Sequence, residues 1–138
     1  MLEELGGFDE RFFLYFEETD LCLRASGSGW RVGVAPAARI GHEGGASALT
    51  RPELFEASSR QVLPWRLRSE YLYFRKHHGL GAVIADAGFE IAWNLVRAAY
   101  NLRPGRKQVR DTSLQIARHA LAALVATSWG RKPPPVPW

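Results

Sequence analysis

Aromatic residues crowd the front of the chain. Phe8, Phe12, Phe13, Tyr15 and Phe16 lie too close together for one amphipathic face. That density predicts a compact buried loop behind the flexible Gly6-Gly7 pair. Glu17 to Ala25 then reads as a helix, with Glu17, Glu18 and Asp20 in a first turn that suits carboxylates and Leu21, Cys22 and Ala25 facing inward. The glycines of Ser26–Gly29 stop it. Trp30, Val32 and Val34 alternate with Arg31 and Gly33 up to Pro36, the pattern of a strand. A second short extended piece, Ala38–Gly41, leads to His42 and a glycine-rich loop. From Pro52 onward the periodicity is helical: Leu54–His77, kinked near Pro64; Leu80–Leu102; and about Val109–Trp129, with Leu114, Ile116, Leu121, Leu124 and Val125 as its apolar set. In the second of these, Asp86, Glu90, Asn94, Arg97 and Asn101 form one narrow polar stripe, and most of the remaining circumference is apolar. The last residues, RKPPPVPW, read as a solvated polyproline-type end.

One strand, one helix and an orphan extended piece do not make a self-sufficient sheet. The front third therefore reads as one edge of a larger α/β domain, an α/β fragment followed by an all-helical C-terminal extension. The expected divisions are 1–50, the end of that α/β domain; 51–79, a helical connector; 80–130, an amphipathic helical tail; and 131–138, a proline-rich end.

With 138 residues, 46% apolar and 23% charged, the chain is in the range of one globular domain. Charge divides it. Residues 1–45 carry eight acids against four arginines, and residues 46–138 carry fourteen bases against six acids. The basic part suits a phosphate-bearing partner. Arg66, Arg68, Arg75 and Lys76 raise nucleic acid as a partner, but these bases are dispersed among apolar helix faces and no nucleic-acid motif accompanies them, so no nucleic acid is expected. The acidic N-terminus lacks an apolar signal region, and no 18-residue stretch is free of charge. The expected location is cytoplasmic, at the inner face of the membrane if the basic helices lie on an anionic surface. A single cysteine, Cys22, excludes an internal disulfide and reads as a buried structural thiol.

Two features can carry chemistry. Adjacent carboxylates at a helix start, Glu17 and Glu18 with Asp20 nearby, can place a general base in a cleft; they can equally be ordinary charge at the positive end of a helix. His42, at the end of an extended piece beside Gly44-Gly45, is placed as a metal ligand or phosphate contact would be, or is a plain loop histidine. His77-His78 reads as charge favouring a helix end.

Taken together, Gly6-Gly7-Phe8-Asp9-Glu10, the aromatic run, Glu17-Glu18, Asp20-Leu21-Cys22-Leu23-Arg24, Gly29-Trp30, Pro36 and His42 resemble the end of the catalytic domain in family 2 glycosyltransferases. The rhamnosyltransferase-like members, of the GT-A type, are the nearest in pattern. Tyr73–Gly79 (YFRKHHG) resembles a stretch that often follows that domain. The resemblance covers about residues 4–79. It implies an inverting transfer of a sugar, rhamnose among the candidates, from a nucleotide diphosphate sugar to a glycan or lipid-linked acceptor. It implies Glu18 as the catalytic base, where the family more often has Asp; the extra methylene lengthens its reach by about 1.5 Å. Glu17 would orient the site, and Asp20 would be a helix-turn partner. His42 stands where the family has a ligand for a divalent metal, Mg²⁺ or Mn²⁺, that holds the diphosphate. The family's nucleotide-binding half and its D-x-D motif have no counterpart in this sequence, so the chain is expected to be a C-terminal fragment and inactive alone. The competing reading is a non-catalytic helical module for a membrane surface or a partner.

Overall fold

The structure is a computed structural model and describes residues 1–41, 62–103 and 105–133. Four helices follow one another: α1 (Leu2–Leu5), α2 (Glu17–Gly27), α3 (Val62–Tyr100) and α4 (Lys107–Ala126). Gly79, at φ 83° and ψ −176°, breaks α3 into two arms, 62–78 and 80–100. That backbone conformation is essentially closed to any residue with a Cβ. Pro64, where a kink was expected, lies in the first turn of α3, where a missing N–H is tolerated.

The core lies where the two arms of α3 meet α4. Leu67 and Tyr71 come from the first arm, Val83 and Ala87 from the second, and Ala120, Ala123 and Leu124 from α4. The first arm is two-faced. Positions 63, 67, 71 and 74 turn to this core. Positions 65, 69, 73, 76 and 77, on the opposite side of the helix, hold the front of the chain. Phe13 packs on Trp65 with ring centroids 4.5 Å apart, and Phe16 on Tyr73 at 5.2 Å. Ser69 Oγ donates to the Leu14 carbonyl at 2.8 Å. The aromatic run is a loop leading into a helix, as its density predicts, with Phe12 buried but Phe8 and Tyr15 exposed.

The α/β expectation fails. Among the described residues there is no strand, and the front of the chain is helix and irregular backbone. Trp30, Val32 and Val34 alternate as a strand does, but alternation supplies only one side of a ladder. No described segment pairs with 31–34, and Val34 and Ile40 are each 92% exposed. Cys22, expected inside, is exposed.

The helical hairpin of the second arm and α4 also packs differently from its sequence pattern. The buried positions of the second arm are Val83, Ala87, Asn94 and Ala98, with Asn101 just past its end. Those of α4 are Ser113, Ala117, Ala120, Ala123 and Leu124. The polar members are satisfied within their own helices. Asn94 donates to the Glu90 carbonyl at 2.9 Å, Asn101 to the Arg97 carbonyl at 2.7 Å, and Ser113 to the Val109 carbonyl at 2.9 Å. A side chain that bonds the carbonyl four residues back no longer needs water. Two of the five positions of the supposed solvent stripe, Asn94 and Asn101, are thus interior, and Phe89, Trp93, Val96 and Tyr100 are left outside. By length and composition Leu63–Tyr100 could cross a membrane: an 18-residue window reaches a mean hydropathy of 1.2, and only 17% of it is buried.

Candidate functional site

The aromatic loop enters α2 through two strained residues. Tyr15 (φ 65°) and Phe16 (φ 67°) both adopt the left-handed conformation, which bulky side chains rarely take. Each costs about 1–3 kcal/mol and persists only where its surroundings fix it. Here the Phe13 and Phe16 ring contacts and the Ser69–Leu14 bond fix it from α3. The strain aims the first turn of α2, and with it Glu17 and Glu18.

Glu18 is exposed and Glu17 is half-buried. Burial raises the Glu17 carboxyl above its ordinary range, and the neighbouring Glu18 carboxylate adds to the rise. Its Oε2 is buried without a hydrogen-bond partner. Of the two acids, Glu17 is therefore the one pushed toward its protonated form, and Glu18 is the one that solvent reaches.

Asp20 is fully buried. Its Oδ1 accepts from Lys76 Nζ at 2.5 Å and from His77 Nε2 at 2.7 Å, and its Oδ2 from Arg24 Nε at 2.7 Å. Burial alone would raise this carboxyl; the bonds from Lys76, His77 and Arg24 outweigh it and hold the group below its ordinary value. Lys76 also reaches Asp9 Oδ2 at 2.8 Å. The Arg11 bond to Asp9 is the largest cause of that carboxyl's depression, with Lys76 adding to it against the opposing effect of burial. Arg24 extends the network to the glycine turn, donating to the Leu5 carbonyl at 2.6 Å and the Gly7 carbonyl at 2.7 Å. A cavity of about 240 Å³ opens beside it, lined by Gly6, Gly7, Asp9, Arg24 and Lys76. Asp20 is thus the anchor that ties α2 to α3, and it is sealed from any substrate.

The three acids singled out in the sequence share the first turn of α2 but not their surroundings: Asp20 is buried among Arg24, Lys76 and His77, Glu17 is half-buried and Glu18 is exposed. Lys76, His77 and Arg24 complete the network and were not foreseen as its members. Arg24 had a readable signal, its i, i+4 spacing from Asp20, whereas His77 read as helix-end charge. His42 lies outside the described residues. Among those described, no group of three His, Cys, Asp or Glu side chains could hold a metal ion, and both Asp9 and Asp20 are already surrounded by cationic donors. These residues do not fit the divalent metal that the resemblance implies, and no step is assigned to it. Of the four bases that raised nucleic acid, Arg66 pairs with Glu70, Arg68 lies over Trp65, and Lys76 serves Asp9 and Asp20.

Comparison with family models, with curated proteins and with solved structures found no match to this chain.

Proposed function

We propose that the chain supplies the catalytic base of an inverting glycosyltransferase. The sugar, rhamnose among the candidates, would move from a nucleotide diphosphate donor to a glycan or lipid-linked acceptor. The observation that carries this reading is the pairing of an exposed Glu18 with a half-buried, proton-favouring Glu17 on a strained aromatic turn. In the reaction the acceptor hydroxyl oxygen attacks the anomeric carbon and the bond from that carbon to the diphosphate oxygen breaks. The hydroxyl proton passes to the Glu18 carboxylate, and the electron pair leaves with the nucleoside diphosphate. Glu17 and the Asp20 anchor are positioning residues.

The 138 residues contain no D-x-D motif, so the donor is proposed to bind on a separate part of the enzyme. The test is fusion of the chain to the donor-binding half of a family 2 enzyme, assayed with a panel of nucleotide sugars and a lipid-linked acceptor. The reading expects transfer by the fusion and none by the chain alone. Turnover by the chain alone, or none by a folded fusion across the whole panel, would overturn it.

A second reading is favoured by a different observation. The hairpin has its small and polar residues inside and Phe89, Trp93, Val96 and Tyr100 outside. In water that distribution leaves apolar area uncovered; against lipid it is the ordinary arrangement, since small residues let helices approach and large ones face the tails. Arg103, Arg106, Lys107 and Arg110 stand at the end of the hairpin, each worth about 1 kcal/mol near an anionic leaflet. Asp86, Glu90 and Arg97 on the second arm favour a helix lying in the interface over one crossing it. Co-sedimentation with vesicles of rising phosphatidylglycerol content tests this: binding that rises with anionic lipid supports it, and none at low salt removes it.

A further inference from the structure

Two departures from ordinary backbone geometry meet at one place on the helical unit. Gly79 kinks α3, and just beyond α4 three consecutive residues, Ser128, Trp129 and Gly130, are left-handed at φ 49°, 60° and 73°. Gly130 is pressed against the first arm: a Cβ there would stand 2.2 Å from the Tyr71 carbonyl oxygen and 2.8 Å from Arg75 Cβ. Its N–H donates to Thr127 Oγ1 at 3.1 Å, and Thr127 Oγ1 bonds the Ala123 carbonyl at 2.8 Å. The turn is therefore held tightly, and it swings Trp129 out beside the kink.

The result is a cavity of about 420 Å³ lined by Arg75, Leu80, Ile84, Ser128, Trp129 and Arg131. Leu80, Ile84 and Trp129 are all substantially exposed. Neither Arg75 nor Arg131 makes an ion pair or side-chain hydrogen bond with any described residue, in contrast to Arg66 and Lys76 on the same arm, which pair with Glu70 and with Asp9 and Asp20. Two uncompensated guanidiniums beside an apolar wall attract a ligand that is anionic at one end and apolar at the other.

We propose that this cavity binds an anionic phospholipid, its phosphate between Arg75 and Arg131 and the start of its chain against Leu80, Ile84 and Trp129. The site goes beyond the surface reading above, because it would take up a single soluble lipid molecule with no bilayer present, and it is independent of sugar transfer.

The test is calorimetric titration of the full chain, below micelle concentration, with dihexanoylphosphatidylglycerol, dihexanoylphosphatidylcholine and inorganic phosphate. The expected result is saturable one-to-one binding of the phosphatidylglycerol, at least about tenfold weaker binding of the phosphatidylcholine, and no saturation by phosphate. Arg75→Gln with Arg131→Gln should weaken phosphatidylglycerol binding about tenfold or more with an unchanged melting temperature. Arg97→Gln with Arg118→Gln, the same charge loss at two exposed positions elsewhere, should leave it unchanged. Ile84→Ser should weaken it as well and serves if the arginine pair proves unstable. Equal binding of the two lipids, equal loss in both arginine pairs, unchanged binding in Ile84→Ser, or phosphate binding as tight as the lipid would each overturn the proposal.

Discussion

Asp20→Asn isolates the anchor that holds the candidate site. The wild-type carboxylate is fully buried and accepts from three groups, Lys76, His77 and Arg24. Those partners retain only 21%, 16% and 20% exposure of their side chains, so solvent replaces little of what they lose. Removing one member of a buried ion-pair network costs about 3–5 kcal/mol because it strands the others. The amide keeps one acceptor oxygen, so the lower end, about 3 kcal/mol, is expected. For a chain of this size that is a fall in Tm on the order of 10 °C. Urea unfolding followed by circular dichroism, with an unchanged m value, measures it. The pH dependence gives a second reading. The folded pKa of Asp20 is depressed below its ordinary 3.8, so its contribution is complete above that value and is lost as pH falls through the folded pKa. Asp9 has the same sign. Glu17, Glu70 and Asp86 have the opposite one: burial raises each, so their ionisation removes stability as pH rises above about 4–5. Asp20→Asn should therefore flatten the acid limb below pH 4 and leave the limb above it unchanged. A loss under 0.5 kcal/mol, or an unaltered acid limb, would refute the anchor role.

Gly130→Ala should destabilise by about 2–4 kcal/mol, since it adds a left-handed alanine to a contact with no room, whereas Gly105→Ala, left-handed but in open space, should cost only about 1 kcal/mol; thermal melts of the two decide it. Glu18→Gln should leave stability within about 0.5 kcal/mol and lower the Glu17 pKa toward its ordinary value, because one carboxylate neighbour is gone; carbon-detected NMR titration reads this directly, and an unmoved Glu17 would contradict the coupling. Phe89→Glu with Trp93→Glu should abolish vesicle co-sedimentation while leaving the helical circular dichroism signal intact, both residues being exposed.

The long helices were legible because a 3.6-residue period survives in 80–100 and 107–126 whatever they pack against. The face they bury was not. Asn94 and Asn101 count as polar in any pattern, and only their bonds to the carbonyls four residues back show that they can be interior. The strand expectation failed for a related reason: Trp30, Val32 and Val34 encode a capacity to pair, but a ladder needs a second strand, and none is present among the described residues. Gly79, not Pro64, bends α3, because a proline in the first turn costs nothing while the φ and ψ at 79 admit only glycine. At the site, the acids of the first α2 turn were visible as a cluster, but their division of labour was not. Asp20 differs from Glu18 through partners 56 and 57 residues further along, a distance no local pattern spans.

The most direct measurement of the central claim is the initial rate of sugar transfer by the chain fused to a donor-binding half, wild type against Glu18→Gln and Glu17→Gln. If Glu18 takes the acceptor proton, its amide variant loses about 10²-fold or more in kcat with the melting temperature retained, and Glu17→Gln loses less. A Glu18→Gln fusion that transfers at close to the wild-type rate would contradict the account, and a larger loss in Glu17→Gln would move the base to the neighbouring carboxylate.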